Sequence, residues 1–355
     1  MASIATSDSG GRRRVPGPAE KGVALEHVAI AEGIHQFITA PDGYVPNGNS
    51  VVVVNDHDVL VFDTFTRPST ARKLLAEIRA ITDKPVRYVV NSHWHPDHWS
   101  GNEVFADEFP DLEIVATEET RRYMVNFASA WPTFWSEGLR RAEDEQFKEV
   151  TAAQGGNANA AIPENLQRDA EELRKRRDFV SEAVQVKRTY PTLTYRGQLT
   201  LHHGGREFRL ISMVGDANGT SVLYLPREKI LATGDVLSHP VPYFSPPLSE
   251  HARSLRVLGQ MDADVVIPGH GPAWRDKDFL NLVAELFESL VRQAGKAVQN
   301  GLVTAEEVQK AVDVESLRLR FTHGDPELDG KFRRYVLRMI ENATREARDG
   351  RELGY

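Results

Sequence analysis

Six consecutive residues constrain this chain more than any other feature: His93-Trp94-His95-Pro96-Asp97-His98, set directly behind the short apolar run of residues 86–90. Pro96 removes a backbone donor and opposes a helix, so four potential metal ligands must share a tight loop. Such a loop leaves the C-terminal end of a strand, the usual position of sites in layered α/β folds. Alternation along it lets His93 and His95 face one way while Asp97 and His98 swing toward a second position. The 355-residue chain contains no cysteine, which excludes thiolate metal sites, disulfides and cysteine nucleophiles. A His/carboxylate set is then the way for side chains to hold a transition metal, and it suits zinc, iron or manganese.

Strand and helix signals alternate around this loop. Residues 50–63 form two β-branched runs about a polar turn, which predicts a hairpin. Ala71, Leu74, Leu75, Ile78 and Ile81 recur at helical spacing over 70–81. A strand is expected at 112–117 and a helix from Glu118. The pattern then changes: segment 125–188 carries Phe127, Trp131, Phe134 and Trp135, a Gly/Asn/Ala stretch at 153–161, and the charged run EELRKRR. It reads as an inserted helical hairpin with a flexible tip. One reading of it is a solvated decoration; the other is a lid or substrate wall, because the aromatic cluster exceeds what a decoration needs.

Strands resume at 192–201 and 206–214, joined by His202-His203-Gly204-Gly205, whose histidines read as exposed turn residues. Further strands are expected at 221–225, 229–233 and 264–267, and residues 279–348 read as mostly helical. There Leu282, Leu286 and Leu290 mark a stripe that core packing or a homodimer contact would bury. The first 22 residues read as a disordered tail without the apolar segment of a signal peptide. No stretch is long and apolar enough to span a membrane, so a cytoplasmic protein with no membrane partner is expected. The net charge of −8 and the lack of basic stretches count against a nucleic-acid partner; a small-molecule substrate is expected instead.

His-x-His-x-Asp-His after a strand resembles the metallo-β-lactamase superfamily. Three more motifs in the expected order extend the resemblance over roughly residues 23–275: Asn49 to Asp63 (NSVVVVNDHDVLVFD), Leu223 to Asp235 (LYLPREKILATGD) and Ile267 to Gly271 (IPGHG). The resemblance implies an α/β (α+β) chain built as an αββα sandwich, with the helical insertion above and a helical extension from about residue 279. It implies two metal positions at one edge of the sheets. His93 and His95 would belong to the first, Asp97, His98 and His270 to the second, and Asp235 would bridge them. The family's third histidine for the first metal falls here on Asp216. A carboxylate can ligate zinc at a similar distance, but it shifts preference toward harder ions such as manganese.

The activity so implied is zinc-dependent hydrolysis, in which a metal-held hydroxide attacks an ester, thioester, lactone or β-lactam-like amide. Asp97 would orient that hydroxide or shuttle its proton. His239 and Tyr243, behind the Gly-Asp motif, are candidate substrate contacts. Two other classes remain open: an iron-dependent oxidoreductase on the same fold, and a non-catalytic metal-binding protein with an altered first site.

Overall fold

The computed structural model describes residues 23–39, 48–155, 161–244 and 247–349. The expected N-terminal tail lies outside these residues, as does the centre of the expected hairpin tip.

Among the described residues, twelve strands form two sheets. β1 (Leu25–Ala31), β2 (Ile34–Thr39), β3 (Asn49–Val54), β4 (Val59–Phe62), β5 (Val86–Val90), β6 (Glu113–Thr117) and β7 (Leu193–Tyr195) lie side by side in chain order. The first four pair antiparallel, and β4 to β7 run parallel. The second sheet holds β8 (Gln198–His203), β9 (Arg206–Met213), β10 (Thr220–Leu225), β11 (Ile230–Ala232) and β12 (Val265–Ile267), in the order β12-β11-β10-β9-β8.

The run of valines in β3 is explained by burial on both faces. Val51 and Val53 point into the space between the sheets, against Phe208, Leu210 and Leu223 of the second sheet. Val52 points the other way, into a layer with Leu74, Leu75 and Ile78 of the helix Pro68–Ile81. A strand alternates its side chains, so a doubly covered one reads as continuously apolar. On the far side, Val222, Tyr224, Leu231 and Val266 pack against the helices Leu248–Gln260, Asp278–Gln299 and Pro326–Asp349. The layers are therefore helix, sheet, sheet, helix, which is the αββα sandwich.

One sequence expectation is corrected. The single strand over 192–201 is two strands in different sheets. Gly197, at φ +66°, turns the chain out of β7 and into β8, a left-handed conformation that suits glycine. The strands β1 and β2 and the helix Leu248–Gln260 carry no signal singled out above, yet they close one edge of the first sheet and one face of the second. The stripe of Leu282, Leu286 and Leu290 is 8 %, 0 % and 0 % exposed, covered inside the chain by the neighbouring helices. No described helix is long and apolar enough to cross a membrane.

Candidate metal centre

Every candidate ligand sits on a loop at one edge of the sandwich. The turn after β5 carries His93, His95, Asp97 and His98, the last two in the single helical turn Pro96–Trp99. The β9–β10 loop supplies Asp216, the segment after β11 supplies Asp235, and the one after β12 supplies His270. Residues as far apart in sequence as His93 and His270 thus converge because β5 of the first sheet and β12 of the second end at the same edge of the sandwich.

The atoms fall into two sets. His93 Nε2 lies 3.3 Å from Asp216 Oδ1, and His95 Nδ1 lies 2.9 Å from Asp216 Oδ2. In the second set, Asp97 Oδ2 is 3.4 Å from both His98 Nε2 and His270 Nε2. Asp235 reaches between them: its Oδ2 is 3.1 Å from His270 Nε2, its Oδ1 is 3.7 Å from His98 Nε2, and it also groups with His93. Ligands on a tetrahedral ion at ~2.0–2.1 Å stand about 3.3 Å apart, close to these separations.

A cation fits here on a further ground. His98 Nε2, Asp235 Oδ1 and Asp216 Oδ1 are buried and make no hydrogen bond, a costly state for polar atoms unless something else satisfies them. The backbone also yields to Asp235: a Cβ at Gly269 would come within 1.8 Å of Asp235 Oδ1, so only glycine lets the strand end pass.

Electrostatics agree with the geometry. Burial alone would push the His95, His98 and His270 imidazoles down, but Asp216 beside His95, Asp97 beside His98 and Asp235 beside His270 outweigh it and raise all three. Burial opposes ionisation of Asp97 as well, yet His98, His270 and His95 hold its carboxyl below the ordinary range. His93 is pushed well down, by burial first and then by the His98, His95 and His270 imidazoles around it. The chain thus gathers negative charge around imidazoles that compete for a cation.

Behind the ligands stand partners that the motif reading had not assigned. Asp63 accepts from His98 Nδ1 at 2.8 Å and from the Ser92 backbone N–H at 2.6 Å. Ser92 Oγ lies 2.9 Å from His93 Nδ1. Such contacts fix ring orientation and tautomer. Asp63 adopts φ +66°, uncommon for a residue with a side chain. Its position as the last residue of a strand-like run was the only hint in the sequence.

Five of the candidate ligands, His95, Asp97, Asp216, Asp235 and His270, floor a cavity of about 420 Å³, whose lining includes Thr66, Tyr243, Trp131, Phe134 and Trp135. Of the two candidate substrate contacts, Tyr243 lines this cavity and its ring stands 5.3 Å from that of His270. His239 is not among the lining residues. It packs against Trp274 and Phe279, with ring centroids at 5.5 and 5.0 Å. Burial, with help from Lys331 and His323, pulls its pKa down to about 4. Of the turn histidines, His203 is tied to Asp58 and stands edge-on to Tyr88, away from the centre.

The sequence profile of the metallo-beta-lactamase superfamily matches residues 43–270. A linear primary-alkylsulfatase from Pseudomonas sp. (strain ATCC 19151) is 27 % identical over 275 residues, taking in 71 % of this chain and 47 % of the relative. The structure of the stereoselective inverting sec-alkylsulfatase Pisa1 from Pseudomonas sp. is similar with a TM-score of 0.61 at 19 % identity, over 93 % of this chain and 50 % of that one. The metallo-beta-lactamase FIM-1 from Pseudomonas aeruginosa, in its mono-zinc form, gives a TM-score of 0.52 at 14 % identity, over 76 % and 96 %. The chain spans about half the length of the alkylsulfatases it matches. The two structural likenesses show the shared fold, and the profile match runs from the first sheet to His270 across well over half of the sequence. The chain belongs to the metallo-beta-lactamase superfamily.

Proposed function

We propose that this chain is a metal-dependent hydrolase of esters, sulfate esters foremost. In this reading His93, His95 and Asp216 hold one ion, Asp97, His98 and His270 hold a second, and Asp235 serves both. Zinc is the ion we assign to the second set, with manganese an alternative in the first because of its extra carboxylate. The observation that carries the reading is the set of buried, unpartnered atoms, His98 Nε2, Asp216 Oδ1 and Asp235 Oδ1, among ligands that floor a cavity. Ions in such a site supply a Lewis acid and bring the ionisation of a coordinated water toward neutrality.

The chain's own groups do the rest. Asp97, a carboxylate 3.4 Å from both His98 and His270, orients a nucleophile at the cavity floor. The Tyr243 hydroxyl is pushed far above its ordinary value by burial, then by Tyr335, Asp235 and Asp97. It therefore stays protonated, its hydroxyl hydrogen-bonded to Tyr335, and its ring lines the cavity beside His270. Sulfate esters come first because the 27 % identical relative is an alkylsulfatase.

The test is a panel of alkyl sulfates, carboxylic esters, a lactone and a chromogenic β-lactam, with released sulfate measured by ion chromatography. Sulfate release that disappears on chelation and returns with added zinc or manganese is the expected result. Metal-replete protein that cleaves no member of the panel, or cleavage indifferent to chelation, would overturn the reading.

A further inference from the structure

The cavity has two unlike sides. Its floor is carboxylate and imidazole, while one wall is Trp131, Phe134 and Trp135 from the helix Trp131–Gln154. This wall is anchored. Trp135 is buried and meets Phe179 of the returning helix Glu164–Ala183 edge-on at 5.2 Å, and Trp131 stacks on Trp135 at 5.9 Å. The end of the returning helix is tied to the loop that carries Thr66. There Glu182 accepts from the Ser69 N–H at 2.6 Å, the Ser69 hydroxyl at 2.8 Å and Arg67 Nε at 2.9 Å.

Phe134 stands apart from this packing. It lines the cavity, yet it is 56 % exposed and meets Trp131 only edge-on, at 5.8 Å. Phe127, 49 % exposed, continues the apolar surface outward through Trp94, which lies 6.0 Å from it and 5.7 Å from Trp131. A solvated helical decoration has no use for a half-exposed aromatic at the mouth of a polar site. Contiguous apolar surface of this kind marks a place where something apolar binds. A polar floor with a fixed apolar shelf at its rim matches a molecule with one polar, hydrolysable end and one apolar chain.

Resting on the hydrolase reading above, we infer that the inserted hairpin receives the apolar chain of an amphiphilic ester, and that Phe134 sets the preference for chain length. The head group lies at the floor and the chain runs over Trp131 and Phe134 toward Phe127. The shelf leaves one side of the chain in water, so each added methylene strengthens binding by about twofold, less than full burial would give.

The experiment measures binding of the non-hydrolysable ethane-, hexane- and decanesulfonates to zinc-loaded protein by calorimetry, with turnover of the matching alkyl sulfates followed separately. Affinity is expected to climb along the series. Phe134→Ala should weaken decanesulfonate about tenfold and leave ethanesulfonate unchanged. Phe147→Ala, at a position 73 % exposed on the same helix and not among the cavity-lining residues, should change neither. Equal affinity along the series, or equal weakening of short and long ligands by Phe134→Ala, overturns the inference. So does a wild-type dimer in sedimentation that Phe134→Ala dissociates, because the shelf would then be covered by a second copy. Chain-dependent binding without turnover of the alkyl sulfates sinks the sulfate-ester reading and keeps the shelf; turnover without chain dependence does the reverse.

Discussion

Asp63 is a residue of the candidate metal centre that acts through the side chains around it. Its two carboxylate oxygens are divided between the His98 ring and the Ser92 backbone, so one side chain orients a ligand and the start of the ligand loop together. Asparagine tolerates the same left-handed backbone and nearly matches the shape, but it lacks the charge and one acceptor. Asp63→Asn should therefore fold normally by circular dichroism while losing about 10–100-fold in metal affinity, read by competition with a fluorescent chelator. Unchanged affinity would show that His98 is held by its packing alone. The candidate ligands stand out in the sequence because four of them crowd into six residues, while Asp216, Asp235 and His270 come from the resemblance. Asp63 was legible only as a strand end, since nothing local in a sequence reveals a bond to a ring 35 residues away.

The helix Leu248–Gln260 lies between the second sheet and the C-terminal helices, and His251 occupies its buried face. One ring nitrogen donates to the Val236 carbonyl at 3.0 Å; the other, Nδ1, is buried without a partner. Burial pulls the pKa down to about 4, with the Val236 bond and Asp235 opposing. The folded state thus prefers the neutral ring, and above the ordinary value of ~6.5 both states are neutral. Between 6.5 and 4 the unfolded chain takes up a proton that the folded chain refuses, so stability falls as pH falls. In chelator-treated protein, acidification from pH 7 to 5 should cost wild type about 2 kcal/mol more than His251→Gln, measured by urea unfolding. Equal losses in the two proteins would contradict this. The same helix does carry a helical stripe, Leu248, Ala252, Leu255 and Leu258, which the sequence reading did not single out. The strand at 192–201 was misread because a turn at a single glycine leaves the alternation on either side almost intact.

Across the whole molecule, the two sheets bring loops from both halves of the chain to one edge, and that convergence makes a centre from residues 93 to 270. The αββα layering was expected from the resemblance to the superfamily, whereas periodicity marked only individual strands and helices. The inserted hairpin was readable as helical but open in purpose, because only the packed fold shows Trp131 and Phe134 bordering the ligand floor. The account depends most on Asp216 standing where the family pattern has histidine and still closing a first site. Elemental analysis of wild type beside Asp216→Ala and Asp216→His, with hydrolysis followed in parallel, tests this directly. About two metal ions per wild-type chain are expected, falling toward one with loss of hydrolysis in Asp216→Ala. About one ion in both wild type and Asp216→Ala, with a second gained only in Asp216→His, would contradict it and leave a mononuclear site.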